Sequence, residues 1–219
     1  MIEPTPSESI RRLATSYSEN DILRGVVQTI PFVGNIVDGV LAAGRHDLVQ
    51  QRVEAFLDDL REEVMRILRK EGLDEEFLRS QDYAHLVLLA TEQATRSRTR
   101  EKVRVYARLL ARAGTPEAAK KVDRSEELLH SLADLSLTEI RVLIAFSVQA
   151  KHGKVFPASS LRVDGLSEGE VSVYCIRLQR TGFVVVRPGE AMIGGTGNPA
   201  IEGTPFLEDL IRLIGTDAE

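Results

Sequence analysis

Five arginines recur at every fourth position in the middle of the chain, and they form its largest regularly spaced group of chemically identical side chains. They are Arg96, Arg100, Arg104, Arg108 and Arg112. On one helix this spacing forms a slowly drifting stripe, and guanidinium groups bind phosphate or carboxylate through two hydrogen bonds. The stripe could therefore follow a nucleic-acid backbone or bind an acidic partner.

The alternative for these arginines is ion pairing within the fold or across a dimer. The preceding predicted helix offers four carboxylates for such pairs. They are Asp58, Asp59, Glu62 and Glu63. We favour structural ion pairing over nucleic-acid binding for this stripe.

A second candidate surface lies on the helix predicted over residues 167–181. Burial of Val171, Cys175 and Leu178, at positions i, i+4 and i+7, would leave a mixed outward face. The outward residues are then Glu168, Ser172, Val173, Ile176, Arg177 and Arg180. The acidic start of this face repels phosphate and its centre is apolar, so it suits a protein partner or a second copy better than DNA. We expect the partner-binding residues to be Val173, Ile176, Arg177 and Arg180.

A third candidate is the apolar segment at residues 26–43, whose length approaches that of a membrane span. Its apolar residues are Val26, Ile30, Phe32, Val33, Ile36, Val37, Val40 and Leu41. Pro31 interrupts the segment, and Gln28, Asn35 and Asp38 fall on one helical face. An aspartate near the centre of a span costs about 2.5–3.5 kcal/mol on insertion scales. We therefore expect a buried core hairpin, with membrane insertion as the alternative.

The remaining reactive side chains form no pattern typical of catalysis or metal binding. The four histidines lack metal-ligand spacing, and Cys175 stands alone on a face predicted to be buried. The glycine-rich stretch at residues 194–197 does not lead directly into a helix, so it is interpreted as a loop tip and not a phosphate loop. The sequence predicts no enzyme, no metal and no cofactor.

Composition supports a helix-rich protein of the cytoplasm. The chain has 219 residues, of which 43% are hydrophobic, with a net charge of −5 and one cysteine. The negative charge argues against a general polyanion binder, and the single cysteine fits a reducing compartment. The first nine residues lack the layout of a signal peptide.

Helices are predicted over most of the N-terminal half. Between residues 47 and 72 an apolar stripe recurs at spacings of three and four, with the four carboxylates on the opposite face. A further helical region is predicted over residues 80–113. We place a helical bundle domain at 1–116, a connecting helix or linker at 117–135 and a second domain at 136–219.

The last domain has the element order of a winged helix-turn-helix with a small β-hairpin. Capping boxes at Ser136–Glu139 and Ser167–Glu170 each precede a predicted helix, and Gly182 ends the second one. An apolar run at residues 183–186 then predicts a strand that leads into a Pro-Gly turn. The sequence therefore predicts a mostly α fold that ends in a winged helix.

Two resemblances agree with this architecture. With the runs 135–143 (LSLTEIRVL) and 178–184 (LQRTGFV), the C-terminal third resembles the MarR-like winged-helix group. Residues 203–206 followed by 207–214 are similar to that group's last strand and closing helix. The acidic cap at Ser167–Glu170 departs from the DNA-binding members. The helical part leading through residues 127–129 (ELL) into this module is similar to bacterial Abi-alpha-type proteins, which are associated with phage defence.

From these observations we expect a non-enzymatic interaction or regulatory protein. Its winged helix would recognise another protein or form a homodimer. The two alternatives are a DNA-binding transcriptional regulator, which would need a basic surface assembled by folding, and a membrane-active defence effector that inserts residues 26–43.

Overall fold

The computed structural model describes residues 46–150, 155–187 and 200–214. The apolar segment at 26–43, with its eight candidate membrane residues, lies outside the described residues. So does the glycine-rich turn at 194–197. Over the described ranges the protein is mostly helical, with one small antiparallel sheet.

The first described helix, α1 (His46–Lys70), carries the predicted apolar stripe. From residue 53 onward the stripe is at most 5% exposed, and it comprises Val53, Phe56, Leu60, Val64 and Ile67. Gly72 follows the helix with a φ of +76°, a backbone conformation that glycine adopts without strain. The stripe and its glycine stop are confirmed.

Two of the four carboxylates predicted to lie on the exposed face of α1 are buried, which corrects the sequence prediction. Asp58 and Glu62 are exposed, whereas Asp59 and Glu63 are only 3% and 7% exposed. The two buried carboxylates lie where a neighbouring helix supplies arginines. Helical periodicity alone could not separate the two pairs.

The region predicted as one helix over residues 80–113 is two helices. A short helix α2 (Glu75–Leu78) precedes α3 (Gln81–Arg96), and α4 (Arg100–Ala113) follows after a break. Ser97 and Thr99 have extended backbones, and the Ser97 hydroxyl donates to the carbonyl of Gln93 at 2.9 Å. This bond satisfies a carbonyl at the end of α3, so the chain can reverse without glycine or proline.

Helix α4 is the centre of the bundle. It packs against α1, α3, the following helix α6 (Val122–Asp134) and the last described helix α9 (Pro205–Ile214). The core positions predicted in α3 and α4 are all buried, namely Leu86, Leu89, Ala90, Val103, Ala107 and Leu110. A helix packed on so many sides needs small residues, and alanines at 107, 111 and 113 are fully buried.

The region predicted to connect two domains belongs to the core of the bundle. It holds most of a short helix α5 (Pro116–Ala119) and all of α6 (Val122–Asp134), in which Leu128, Leu129 and Leu132 are fully buried. The buried apolar residues form one continuous cluster from Phe56 to Ile214. Within the described residues, the core does not divide at this connection.

The C-terminal part alternates helices and short strands. After α7 (Leu137–Ala150) come β1 (Val155–Pro157), a 3-10 turn (Ala158–Ser160), α8 (Glu168–Gln179), β2 (Val184–Arg187) and β3 (Ala200–Gly203). The sheet order is β1-β3-β2, with both pairings antiparallel. The two strands predicted after α8 are confirmed. Strand β1 was not predicted, because three residues are too few to show a period.

The sheet buries one face against the helices. Phe156, Ile201 and Val186 lie opposite one another in the register, and the ring centroids of Phe156 and Phe146 on α7 are 4.9 Å apart. Thr204 starts α9 by accepting from the backbone N–H of Leu207 at 3.3 Å. The strand-to-helix junction predicted at residues 203–206 is therefore present.

Candidate interaction surface

Helix α8 packs against the rest of the C-terminal part through one apolar face, and capping interactions fix its ends. Val171, Cys175 and Leu178 are each 1% exposed, as predicted from their spacing. The Ser167 side chain accepts from the backbone N–H of Glu170 at 3.4 Å, and the Glu170 carboxylate accepts from the backbone N–H of Ser167 at 2.8 Å. Both ends of the helix are thus fixed by local sequence, since Gly182 ends it with a φ of +79°.

The opposite face of α8 is exposed and apolar at its centre. Val173 is 56% exposed and Ile176 is 52% exposed. They are the two most exposed large apolar side chains among the described residues. A soluble helix normally directs such residues inward, so this face is the strongest candidate for contact with another molecule.

Arg177 and Arg180 differ in what they contact. The Nε of Arg177 lies 3.1 Å from Oε1 of Glu139 on α7, while its side chain stays 56% exposed. Arg180 is exposed and makes no ion pair with the described residues. Of the two predicted partner-binding arginines, only Arg180 is therefore free of a counter-ion within the described structure.

The first turn of α8 is negatively charged. Glu168 pairs with Arg162, whose Nη1 lies 2.8 Å from the Glu168 Oε1. Hydrogen bonds from Ser167 lower the pKa of Glu170, so its carboxylate stays ionised at neutral pH. A DNA-reading helix places donors near its N-terminus, and two carboxylates at this end oppose that role.

The arginine stripe is divided between two helices, which corrects the prediction of a single helix. Arg96 is the last residue of α3, and its Nη2 lies 2.6 Å from the carboxylate of Glu92. Arg100, Arg104, Arg108 and Arg112 lie on α4. Because the chain reverses between the two helices, the period of four across residues 96–100 does not describe a common face.

The α4 arginines face acidic residues near and on α1. Arg100 and Arg104 both approach Oδ1 of Asp59, at 3.6 and 3.5 Å. Farther along, the Nε of Arg108 lies 2.9 Å from Oε1 of Glu63. The favoured interpretation, ion pairing within the fold, holds for these residues.

The last arginine of the stripe pairs beyond the end of α1. The Nη1 of Arg112 lies 3.4 Å from Oε1 of Glu71. Arg108 and Arg112 are each 18% exposed, whereas Arg100 and Arg104 remain 64% and 48% exposed, so only the C-terminal part of the stripe is withdrawn from solvent.

A cavity between α7, β3 and α9 was missed by the sequence analysis. Its volume is about 360 Å³, and it is lined by Phe146, Ser147, Ala150, Gly203, Leu207, Glu208, Ile211 and Arg212. Gly203 contributes to the space, since a Cβ there would lie 3.0 Å from the Phe146 ring. The one sequence signal for this cavity is Gly203, a glycine at the end of a predicted strand, because its missing side chain leaves space beside the helices.

The Cys175 thiol lies on the buried face of α8. Burial raises the pKa of the Cys175 thiol to about 11, which makes it a poor nucleophile. Among the described residues no group of histidine, cysteine and carboxylate side chains could hold a metal ion. Within the same residues, no helix is long and apolar enough to cross a membrane.

Comparison of the chain with protein-family models, with curated proteins and with solved structures finds no match.

Proposed function

We propose that the C-terminal part is a winged helix that binds another protein through the outward face of α8. The order of elements supports the fold: a helix, a short strand, a turn, a second helix, then two antiparallel strands. The central position of the last strand in the sheet, β1-β3-β2, also fits a winged helix. In this fold α8 takes the place of the helix that DNA-binding relatives present to the major groove.

One observation carries the proposed activity: Val173 and Ile176 are both more than half exposed on the same face of α8. Removing apolar surface from water favours association by about 25 cal/mol per Å², against which the entropic costs of association are set. Isolated exposed apolar residues are common on proteins. Two such residues at positions i and i+3 of a well-capped helix form a contiguous apolar patch. A patch of this kind on the exposed face of α8 fits a protein partner.

The charges on α8 favour a protein over DNA as the partner. Glu168 and Glu170 lie at the end of the helix that would approach phosphates, and Arg177 is paired with Glu139. A protein surface can accommodate acidic and basic groups at opposite ends of one helix, whereas a phosphate backbone attracts only the basic end.

Site-specific photocrosslinking in cells tests this proposal. A benzophenone amino acid at position 173 should give covalent protein adducts, and Ile176→Lys in the same chain should reduce them strongly. The matched control places the benzophenone at Leu88 on α3, a surface leucine that is 37% exposed. Adducts at 173 and not at 88 would support the proposal.

Absence of adducts at 173, or equal adducts at both positions, would overturn it. A salt-dependent shift of genomic DNA fragments by the protein, lost in Arg180→Glu, would instead favour DNA binding, because phosphate contacts weaken as salt concentration rises.

A further inference from the structure

Four outward residues of α8 form one narrow stripe. Gly169, Val173, Ile176 and Arg180 are spaced by four, three and four residues, which places them on one side of a helix with 3.6 residues per turn. All four are exposed. Arg180, at the C-cap, keeps right-handed helical dihedrals, so the stripe extends to the last turn.

The stripe is flanked by opposite charges at its two ends. Glu168 and Glu170 lie in the first turn, Arg177 and Arg180 lie at the other end, and the two large apolar residues lie between them. Rotation by 180° about an axis between Val173 and Ile176 would bring acidic ends onto basic ends and apolar residues onto apolar residues. The surface is therefore complementary to itself in an antiparallel arrangement.

Gly169 adds an independent observation. Gly169 is the second residue of α8, and it places no side chain at the N-terminal end of the stripe. A Cβ at position 169 would meet no atom within 4 Å, so no packing within the described structure requires glycine there. The missing side chain leaves the backbone of α8 accessible to another chain at this position.

We infer that the partner of α8 is a second copy of this chain, docked as an antiparallel α8–α8 pair. This inference rests on the proposed function. In the pair, Val173 packs against Ile176 of the partner subunit. Arg180 of the partner subunit lies over Gly169, beside the Glu170 carboxylate. Arg180 makes no ion pair within the described residues, so its position beside Glu170 of the other copy gives each end of the pair a favourable charge contact.

The size of the surface sets the expected strength. Two helices of twelve residues bury less than the roughly 800 Å² per partner of a standard interface. The dimer should therefore dissociate at micromolar concentrations, and its population should depend on protein concentration.

Cysteine crosslinking tests the register in the full-length chain. Under mild oxidation, a mixture of Gly169→Cys and Arg180→Cys proteins should form a mixed disulfide dimer, whereas each variant alone should not. In the antiparallel pair, two copies of position 169 are eleven residues apart along the axis, about 16 Å at 1.5 Å per residue, too far for a disulfide. The unsubstituted chain is the control, because Cys175 is buried.

A second variant separates dimerisation from folding. Gly169→Leu should leave the monomer folded, because the added side chain points into open space, and should weaken the dimer about tenfold or more by sedimentation. Leu88→Lys is the matched surface control and should leave the dimer unchanged.

Three results would overturn the self-pairing. The first is a chain that remains monomeric well above micromolar concentration, with photoadducts at 173 formed only to other proteins, and this result leaves the proposed function intact. The second is crosslinking of either single variant alone, which indicates parallel pairing. The third is an unchanged dimer in Gly169→Leu.

Discussion

The two oxygens of the Glu139 carboxylate bind different partners. Oε1 lies 3.1 Å from the Nε of Arg177, and Oε2 accepts from the backbone N–H of Ser136 at 2.7 Å. The first contact ties the exposed helix α8 to α7, and the second caps α7. Glu139 is only 4% exposed. One side chain thus caps α7 and also contacts the helix that presents Val173 and Ile176.

Glu139→Ala should lower the free energy of unfolding by about 1–2 kcal/mol, because it removes the helix cap and the buried partner of Arg177. Arg177→Ala should cost less than about 1 kcal/mol, since that side chain is largely exposed. Urea unfolding measures both. Arg141→Ala, an exposed arginine on the same helix α7, is the control and should change little. Equal losses for Arg177→Ala and Glu139→Ala would contradict the capping role.

Glu63→Gln should lower the free energy of unfolding by about 2 kcal/mol, because the Glu63 carboxylate is only 7% exposed and accepts hydrogen bonds from both Arg66 and Arg108. Glu62→Gln is the matched control on the exposed side of α1 and should stay within about 0.5 kcal/mol of the parent. Chemical denaturation of the three proteins side by side provides the comparison. If the two variants behave alike, the α1–α4 ion pairs are energetically unimportant.

Gly182→Ala should destabilise the protein by about 1–2 kcal/mol, because its φ of +79° is unfavourable for a residue with a Cβ. Gly169→Ala should act in the opposite direction, by about 0.5 kcal/mol, since that glycine lies in a helix with open space beside it. Thermal unfolding at low protein concentration measures both without a contribution from dimerisation. A stabilising Gly182→Ala substitution would show that the chain does not turn there as described.

The pKa of Cys175 predicts a loss of stability in alkaline solution. Burial raises the thiol pKa from 9.0 to about 11, so the folded state keeps a proton that the unfolded state releases. The contribution of this thiol to the free energy of unfolding is fully present below pH 9, and it falls as the pH rises towards 11. The free energies of unfolding of the parent chain and of Cys175→Ala should therefore converge over this interval in urea titrations. A constant difference from pH 8 to pH 11 would contradict the shift.

Local sequence was sufficient to predict α1 and α8, whereas the junction of β3 with α9 was expected from the resemblance to the MarR-like group. For the two helices the signal is contained within a few neighbouring residues: an apolar period, a capping box or a glycine at the helix end. The same reasoning predicted that Val171, Cys175 and Leu178 would be buried and that Val173 and Ile176 would be exposed. These predictions succeed because a helix fixes the direction of each side chain relative to its neighbours.

The tertiary structure decided the features that depend on residues distant in sequence. The break at Ser97–Thr99 carries no proline or glycine, and it is seen only in the structure, where α3 and α4 pack against each other. Asp59 and Glu63 are buried only because α4 brings arginines beside them, while Asp58 and Glu62 on the same helix remain in water.

The pairing of Arg177 with Glu139 likewise joins residues on two helices, α7 and α8. Sequence periodicity describes one element at a time, so it determined the faces of the helices. Only packing between the helices decided which charged residues on those faces meet, because the free energy of a buried charge depends on the partner that folding places beside it.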